Sequence, residues 1–410
     1  MWRTSGTLLA MVLTALPSAS VPGREQHDAS VLSACRPAAT ASADPVVRRG
    51  FWYAIGDRPT VEEVDAAASR YGVVVLNPWE TWALDRIKQR DPSVVVLVYK
   101  DLSSTRSYHT GPLPPTGVAH AEADPSWFAV DEAGERIEWD PYPGHWQMAV
   151  WDPAYQQRWV DDVVAEVRTA GWDGVLADND LATLGWYDSA LLAGTGSPAE
   201  TDARLRDGLD ALVVRAGQAL QAEGRLLVPN VSDARLTDGR WASHAAYGGA
   251  MEENFAHWGT DPYDGFLWDW GPTGWVTQTE QLASPGLTVS VTRAAAGDDR
   301  TLRYAYASVL VRGDGQDYWS PSTTPAGDYT RPESLPEMDL PLGEPTAGAV
   351  RLSSGAWTRT YASGWAAVNP TQATVTLTPP KGAVDRSGQR VTSVTLPPTS
   401  GTVLRVDCRR

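Results

Sequence analysis

Two clusters of carboxylates follow apolar runs that are too short to be helices. Asp178 and Asp180 come directly after one such run, and Glu252 and Glu253 follow another. Runs of this kind predict buried strands of a parallel sheet, and in parallel α/β folds the chemistry lies beyond the carboxyl ends of the strands. Two carboxyl groups that flank one bond can supply a proton and a nucleophile or base, which is what hydrolysis of a glycosidic bond requires.

The pattern leaves open which acids would act. Strict alternation along a strand sends Glu252 and Glu253 to opposite faces. Gly248 and Ala250 are small and share their parity with Glu252, which favours Glu252 pointing into the fold. A bulge at the strand end would reverse this inference. Asp180 is expected to cap a helix, to support the catalytic acid or to bind the substrate.

Alternating strand and helix patterns position these acids within residues 46–320. Eight strand-like runs favour a catalytic (β/α)8 barrel. The alternative is an open doubly wound sheet, but no Gly-rich phosphate loop follows the first run. Asp178 then ends strand four and the Glu252-Glu253 pair ends strand six, on either side of strand five, so their side chains can flank one bond. The predicted strands lie at 51–55, 72–76, 94–99, 175–177, 225–228, 247–251, 287–291 and 315–319.

Other strand ends and one long segment supply polar and aromatic side chains. In a barrel all strand ends point into one cleft. Residues 102–151 have no clear period and many Pro, Gly, Trp and His residues, so we expect a lid or cleft wall. Within it, His145 and Trp146 either contact the substrate or pack the lid. The candidates for substrate binding are Trp52, Asn77, Trp79, Tyr99, Lys100, Asp180, Asn230 and Trp319.

Composition narrows the class of ligand. The formal charge of −16 over 410 residues argues against nucleic acid or an anionic membrane as a partner. The chain has 19 Trp and only 4 Phe residues. Most of these Trp residues are expected in the core, but the broad indole face also suits the C–H faces of sugar rings. A carbohydrate is therefore the expected substrate, and the sequence carries no signal for an oligomeric state.

Several other chemistries are disfavoured, and no cofactor is expected. The six His residues are scattered without HxH or HxxxH spacing, which argues against a metal site built on histidine. The chain has no GxSxG elbow, which argues against a serine hydrolase. Lys100 at the end of strand three remains a candidate for a Schiff base in an aldolase or lyase, although an ion pair or a sugar contact is favoured for it.

The termini predict an exported protein with a second domain. Residues 1–20 have the charged end, apolar stretch and small-residue cleavage pattern of a signal peptide, and no other segment is apolar enough to span a bilayer. An N-terminal tail is predicted at 21–45, a Pro-rich linker at 321–345 and a small β-sandwich at 346–410. In an exported protein Cys35 and Cys408 are expected to form a disulfide rather than remain free thiols.

The order of motifs resembles a known family. FWYAIGD, VVLNPWE, VVVLVYKDLSS, WFAVDEAGERI, WDPAYQQRW, GWDGVLADND, LLVPN and GGAMEENFAHW are similar to the hypothetical glycosyl-hydrolase-like family fifteen, a group of TIM-barrel glycosidases. This family is related in outline to endo-polygalactosaminidase and α-galactosidase-like barrels. The resemblance runs from about residue 49 to residue 320, and WAAVNPT resembles the β-domain that often follows such barrels.

The resemblance implies roles for the acids. It implies that Asp178 is the nucleophile and that the acid/base comes from Glu252-Glu253, with Glu253 preferred because it stands before Asn254-Phe255. The leading hypothesis is a secreted glycoside hydrolase that cleaves O-glycosidic bonds of a poly- or oligosaccharide with retention of configuration. The alternative is a non-catalytic carbohydrate-binding barrel, which would keep the Trp-rich cleft without needing matched acids.

Overall fold

The structure is a computed structural model that describes residues 48–407, except 57, 260–264, 285, 324–330 and 332. The predicted signal peptide at 1–20, the tail at 21–45, Cys35 and Cys408 lie outside the described residues.

Eight parallel strands form the wall of a barrel. They are β1 (Gly50–Ala54), β2 (Tyr71–Leu76), β3 (Val95–Asp101), β4 (Gly174–Asp178), β5 (Leu226–Pro229), β6 (Gly249–Glu252), β7 (Leu287–Arg293) and β8 (Asp317–Ser322). They are hydrogen-bonded in the order β5-β4-β3-β2-β1-β8-β7-β6. Parallel bridges from Leu227 to Gly248 and from Asn230 to Met251 join β5 to β6 and close the ring. The predicted (β/α)8 barrel is confirmed, and the open doubly wound sheet is wrong.

Helices connect the strands around the outside. Their ends follow local capping chemistry: Thr60 and Glu63 form a capping box on the first helix, and Asp152 caps the third, which ends at Gly171 with a φ of 82°. This left-handed turn leads the chain directly into β4. The helices are α1 (Val61–Arg70), α2 (Thr81–Arg90), α3 (Pro153–Ala170), α4 (Pro198–Ala222), α5 (Arg240–Ala245), α6 (Trp275–Glu280) and α7 (Asp299–Arg312).

Alternation along the strands decides which side chains reach the cleft. One set fills the barrel interior, and the residues next to it pack outward against the helices. On β3, for example, Tyr99 belongs to the interior set, so its neighbour Lys100 points outward. The interior set comprises Phe51, Tyr53, Val73, Val75, Leu97, Tyr99, Leu176, Val228, Met251, Leu287, Val289 and Val291.

Antiparallel sheets follow the barrel. They contain β9 (Val350–Arg351), β10 (Trp357–Tyr361), β11 (Gly364–Asn369), β12 (Val375–Leu377), β13 (Ala383–Val384), β14 (Val394–Leu396) and β15 (Ser400–Val406). One sheet has the order β9-β10-β11-β15-β13, and β12 pairs with β14. The larger sheet shares a core with α7, where Val368 and Val403 cluster with Tyr306 and Leu310.

None of the helices in the described ranges has both the length and the apolar character needed to cross a bilayer.

Candidate active site

Asp178 lies at the end of β4 and accepts three hydrogen bonds. Leu176 fills the barrel interior two residues earlier, so Asp178 points to the same side. Its Oδ2 accepts the Tyr99 hydroxyl at 2.6 Å, and its Oδ1 accepts the Asn179 backbone N–H at 2.9 Å and the Asn230 Nδ2 at 2.8 Å. These donors hold the carboxyl group in one orientation above the interior core.

The turn after Asp178 is built around Asn179. This residue has a φ of 61°, in the left-handed region that asparagine tolerates better than most residues. Its Nδ2 donates to Asp101 Oδ2 at 2.9 Å, and its Oδ1 accepts the Tyr187 hydroxyl at 2.7 Å. The amide therefore ties the carboxyl ends of β3 and β4 to the segment that follows β4.

Asn230 joins Asp178 to Glu253. Its Nδ2 donates to Asp178 Oδ1 and to Glu253 Oε2, at 2.8 Å in each case. Because both oxygens lie 2.8 Å from one nitrogen, they are no more than twice that distance apart. The structure thus brings together three residues that the sequence selected at the ends of β4, β5 and β6.

Glu253 also carries an ion pair. Arg293 at the end of β7 donates from Nη2 to Glu253 Oε1 at 2.6 Å. Both side chains are mostly shielded from water, at 25% and 20% exposure, so the pair is stronger than one on an open surface. The guanidinium and the Asn230 amide both stabilise the carboxylate form of Glu253.

The two carboxyl groups have different surroundings. Burial, followed by the charges of Glu253 and Asp101, raises the pKa of Asp178 to about 6. No cation pairs directly with the Asp178 carboxyl among the described ion pairs. Arg293 stabilises a charge on Glu253, while no described cation does so for Asp178, and this difference favours Asp178 as the site of a proton that the two acids share. These contacts favour acid/base work for Asp178 and a nucleophilic role for Glu253, the reverse of the roles that the resemblance implies.

A pocket of about 250 Å³ opens beside the pair. Its wall offers polar groups that can bind hydroxyl groups, and it includes the aromatic face of Trp186, which is 40% exposed. This combination suits a sugar ring, whose hydroxyl groups need hydrogen bonds and whose C–H face packs on an indole. The lining residues are Asn179, Asp180, Leu181, Trp186, Tyr187, Asn230, Ser232, Asp233, Glu253, Asn254 and Arg293.

Glu252 does not belong to this site, which corrects its candidacy as a catalytic acid. Met251 fills the barrel interior, so Glu252 shares its outward face with Ala250, which packs against Val231 and Trp241. The prediction that Glu252 points into the barrel is wrong, because Ala250, which shares its parity, lies on the crowded outer side of β6. The Glu252 side chain is buried, and its Oε1 accepts the Asn254 N–H at 3.1 Å.

Glu252 should make the fold less stable at high pH. Burial, then the Asp233 carboxylate, raises the pKa of Glu252 to about 8 from the 4.5 of an ordinary glutamate. A folded-state pKa above the unfolded one means that stability is lost as the pH rises from about 4.5 to about 8. We expect Glu252→Gln to reduce the loss of unfolding free energy between about pH 5 and about pH 9 by a few kcal/mol. Denaturant titrations at both pH values check this, and equal losses in the parent and the variant would contradict it.

Three substrate-binding candidates are corrected to packing residues. Trp52 lies in the core between the barrel and its helices, and Trp319 is buried against Tyr306 of α7. Lys100 is also buried and donates to Glu166 Oε2 of α3 at 2.6 Å and to the Pro114 carbonyl at 2.7 Å. Strand alternation turns all three outward. The amine of Lys100 therefore faces away from the cleft, which removes the basis for a Schiff-base mechanism.

The Lys100–Glu166 pair predicts a stability effect without a direct effect on chemistry. Lys100→Met removes one partner and leaves a mostly buried carboxylate, because Glu166 is only 13% exposed. We expect a loss of about 3–5 kcal/mol in the free energy of unfolding, and partial recovery in the double variant Lys100→Met/Glu166→Gln. Urea unfolding measures both. A loss below about 1 kcal/mol in the single variant would show that the pair is not buried as described.

Asp180 is likewise corrected from a substrate ligand to a structural anion. Its side chain is fully buried, and Oδ1 accepts from Arg240 Nη2 at 2.6 Å. The other oxygen forms a short hydrogen bond with His244 Nδ1. Arg240 and His244 both lie on α5 and both also contact Asp210 of α4. Asp180 therefore ties the segment after β4 to two helices, and it lines the pocket without a free carboxylate.

Asn77 and Trp79 follow β2. Asn77 is buried, and among the described residues its Nδ2 has no hydrogen-bond partner, which leaves a donor for a ligand hydroxyl. Its backbone N–H donates to Glu80 Oε2 at 3.2 Å. Trp79 is 44% exposed and stacks on His109 with ring centroids 5.3 Å apart. Both remain candidates for substrate binding.

The long segment contributes Arg106, Tyr142 and Trp139, which the sequence did not single out, beside His145, which it did. Arg106 Nη2 donates to the Tyr99 hydroxyl at 2.9 Å. Tyr142 lies close enough to Glu253 for that charge to raise the pKa of the phenol, after burial as the main cause. His145 stacks on Trp139, which in turn stacks on Tyr187 at 4.1 Å between ring centroids. The segment thus forms an aromatic wall beside the acids.

A (β/α)8 barrel that presents paired carboxylates at the ends of β4 and β6, beside a pocket suited to a sugar ring, has the construction of a glycoside hydrolase. Sequence comparison agrees with this class. The model of hypothetical glycosyl hydrolase family 15 matches residues 88–365, more than half of the chain. The chain belongs to that family and is a glycoside hydrolase.

Several solved structures are similar to this chain at low sequence identity. The glycoside hydrolase domain of PelA from Pseudomonas aeruginosa is 16% identical, with a TM-score of 0.42 over 68% of this chain and 95% of that one. The α-amylase from Geobacillus thermoleovorans is 11% identical, with a TM-score of 0.47 over 88% and 98%. An α-amylase from Malbranchea cinnamomea has the same identity and TM-score over 89% and 98%. No curated protein matches the sequence.

Proposed function

We propose that this protein is a secreted, retaining glycosidase that cleaves O-glycosidic bonds in a poly- or oligosaccharide, with Glu253 as nucleophile and Asp178 as general acid/base. The observation that carries the proposal is the Asn230 amide, which bonds both carboxylates at 2.8 Å. The limit it sets on their separation fits the roughly 5–5.5 Å of retaining enzymes rather than the roughly 6.5–9.5 Å that leaves room for water in inverting ones.

The first step would form a glycosyl ester on Glu253. Its carboxylate oxygen attacks the anomeric carbon while the Asp178 proton passes to the leaving oxygen, and the glycosidic C–O bond breaks. Before this step the negative charge of Glu253 helps to keep Asp178 protonated. Esterification removes that charge, so the pKa of Asp178 falls when the residue must act as a base.

The second step would reverse the roles of proton donor and acceptor. Asp178 takes a proton from a water molecule, the water oxygen bonds to the anomeric carbon, and the ester bond to Glu253 breaks. Arg293 and Asn230 then stabilise the departing Glu253 carboxylate through the hydrogen bonds seen in the free site. Two displacements at one carbon give net retention of configuration.

The substrate class and the location are supported by different features. The exposed faces of Trp79, Tyr108, Tyr142 and Trp186 lie on segments that follow the barrel strands, and aromatic faces of this kind bind successive sugar rings. This favours a chain of sugars over a single glycoside. The signal pattern at residues 1–20 supports secretion.

A screen against a panel of polysaccharides tests the proposal. The purified protein is incubated with each polymer, and newly formed reducing ends are measured. We expect release from at least one polymer by the parent and by Glu252→Gln, and release at least about 10²-fold slower by Asp178→Asn and Glu253→Gln. Binding of a polymer without any release by the parent would instead support the non-catalytic carbohydrate-binding alternative.

A further inference from the structure

The long segment after β3 brings a cation to the catalytic acid. Residues Ser104–Arg106 form a short strand that pairs antiparallel with His145–Gln147, with Arg106 opposite His145. The Ser104 N–H and hydroxyl both bond to the buried Asp101, at 2.9 and 2.7 Å. The backbone that carries Arg106 is therefore anchored to the end of β3.

The Arg106 side chain reaches Asp178 through Tyr99. Arg106 Nη2 donates to the Tyr99 hydroxyl at 2.9 Å, and that hydroxyl donates to Asp178 Oδ2 at 2.6 Å. The guanidinium carbon also lies 5.3 Å from the centroid of the Tyr99 ring. Arg106 is only 18% exposed, so solvent competes weakly for these bonds.

The two hydrogen bonds of this arrangement can run in only one direction, from Arg106 to Tyr99 and from Tyr99 to Asp178. A guanidinium can only donate, and a phenol has a single proton. Since Arg106 occupies an acceptor position on the Tyr99 oxygen, the phenol proton is left for Asp178. We infer that Arg106 is a positioning residue that orients the Tyr99 proton toward Asp178 and so favours the carboxylate form of that acid.

Other groups around Asp178 favour its protonated form, which the hydrogen bond from Tyr99 opposes. Glu253, beyond β6, and Asp101, on β3, oppose ionisation of Asp178, as does burial. Tyr187 and Tyr142 also face the pair, but burial raises the pKa of both phenols, so they remain neutral. Burial likewise raises the pKa of Tyr99 well above its usual value, which keeps its proton available for donation.

The role of Arg106 in catalysis rests on the proposed function, in which Asp178 is the general acid/base. Asp178 must release its proton to the leaving oxygen and later accept one from water. A Tyr99 proton that is always directed at Oδ2 keeps the carboxylate form accessible despite burial and two neighbouring negative charges. Without this contact, Asp178 would hold its proton to a higher pH.

Titration of the Asp178 carboxyl group by ¹³C NMR tests this without any substrate. The protein is labelled at the aspartate carboxyl carbon, and the resonance is assigned by its loss in Asp178→Asn. We expect Tyr99→Phe and Arg106→Gln each to raise the midpoint from about 6 by about one to two pH units, the value of one lost hydrogen bond to a charged group. Arg106→Lys, which keeps a cationic donor, should shift it less.

A double variant and a matched control separate this role from a general effect of charge. If Arg106 acts through Tyr99, Arg106→Gln in the Tyr99→Phe background should add little further shift. Arg136→Gln removes the same charge from an exposed position on the same segment and should leave the midpoint unchanged. An unchanged midpoint in folded Arg106→Gln, or fully additive shifts, overturns the inference; if Arg106→Gln does not fold, an unchanged midpoint in Tyr99→Phe overturns it.

The result is distinct from the outcome of the polysaccharide screen. A raised midpoint in a protein that hydrolyses no polymer would support the contact between Arg106, Tyr99 and Asp178 and reject the proposed function. Hydrolysis of a polymer by a protein whose midpoint is unchanged in Arg106→Gln would support the proposed function and reject the role of Arg106.

Discussion

Glu253→Gln is expected to lower kcat/KM by at least about 10³-fold on any polymer that the parent hydrolyses. The amide cannot form a glycosyl ester, so the double displacement loses its first step. It also loses the negative charge that pairs with Arg293 and helps to keep Asp178 protonated. Initial rates of reducing-end release, with the folded state checked by circular dichroism, measure the effect.

Glu252→Gln is the matched control for this prediction. It makes the same chemical change one residue away, on a side chain that points out of the barrel. Its kcat/KM should remain within about threefold of the parent at pH values near 6, an effect below about 1 kcal/mol. A loss in Glu252→Gln as large as that in Glu253→Gln would contradict the placement of Glu253 as the acid that faces the pocket.

Asp178→Asn is expected to lower kcat/KM by about 10²- to 10⁴-fold, the usual contribution of a general acid/base. The loss should be largest for natural sugar leaving groups, which need protonation, and smaller for aryl glycosides with acidic phenols. Because burial and the charge of Glu253 raise the pKa of Asp178 to about 6, the parent kcat/KM should fall tenfold per unit as the pH rises above that value. Steady-state rates across the pH range measure both effects.

The fall of kcat/KM at pH values above about 6 provides an internal control for the role of Asp178. The residual activity of Asp178→Asn should have no decline in kcat/KM near pH 6, since the group responsible for it is absent. If the variant keeps the decline unchanged, another residue is the general acid.

Strand alternation explains both what the sequence predicted and where it erred. Eight apolar runs with intervening helices were sufficient for the barrel, and Asp178, Asn230 and Glu253 follow its strands and converge on one site. Lys100 and Trp319 are as close to strand ends, but they face the helices. A residue at a strand end lies near the cleft. Its side chain enters the cleft only if the alternation along the strand turns it toward the barrel interior.

The choice between Glu252 and Glu253 shows that residue size alone does not reveal which face of a strand points into the barrel. Small side chains at Gly248 and Ala250 suit a narrow barrel interior, but they equally suit a face crowded by Trp241. Met251 fills the barrel interior, and this fixes which of the two glutamates points outward. The placement of Met251 depends on packing across all eight strands. No local pattern around the two glutamates contains this information.

Arg106 and Tyr187 could not be predicted from spacing. Both lie in segments without a helix or strand period, and their positions depend on the path of the chain over the barrel. Arg106 reaches Tyr99 because Ser104–Arg106 pairs with residues about forty positions later. Long-range pairing of this kind leaves no periodic signal in the sequence.

The configuration of azide adducts tests the central claim most directly. In Glu253→Ala, azide can enter the space left by the nucleophile and attack an aryl glycoside in one displacement. We predict a glycosyl azide of inverted anomeric configuration from Glu253→Ala and one of retained configuration from Asp178→Ala, as read by ¹H NMR. A retained product from Glu253→Ala, or an inverted one from Asp178→Ala, would contradict the assignment of Glu253 as nucleophile and Asp178 as acid/base.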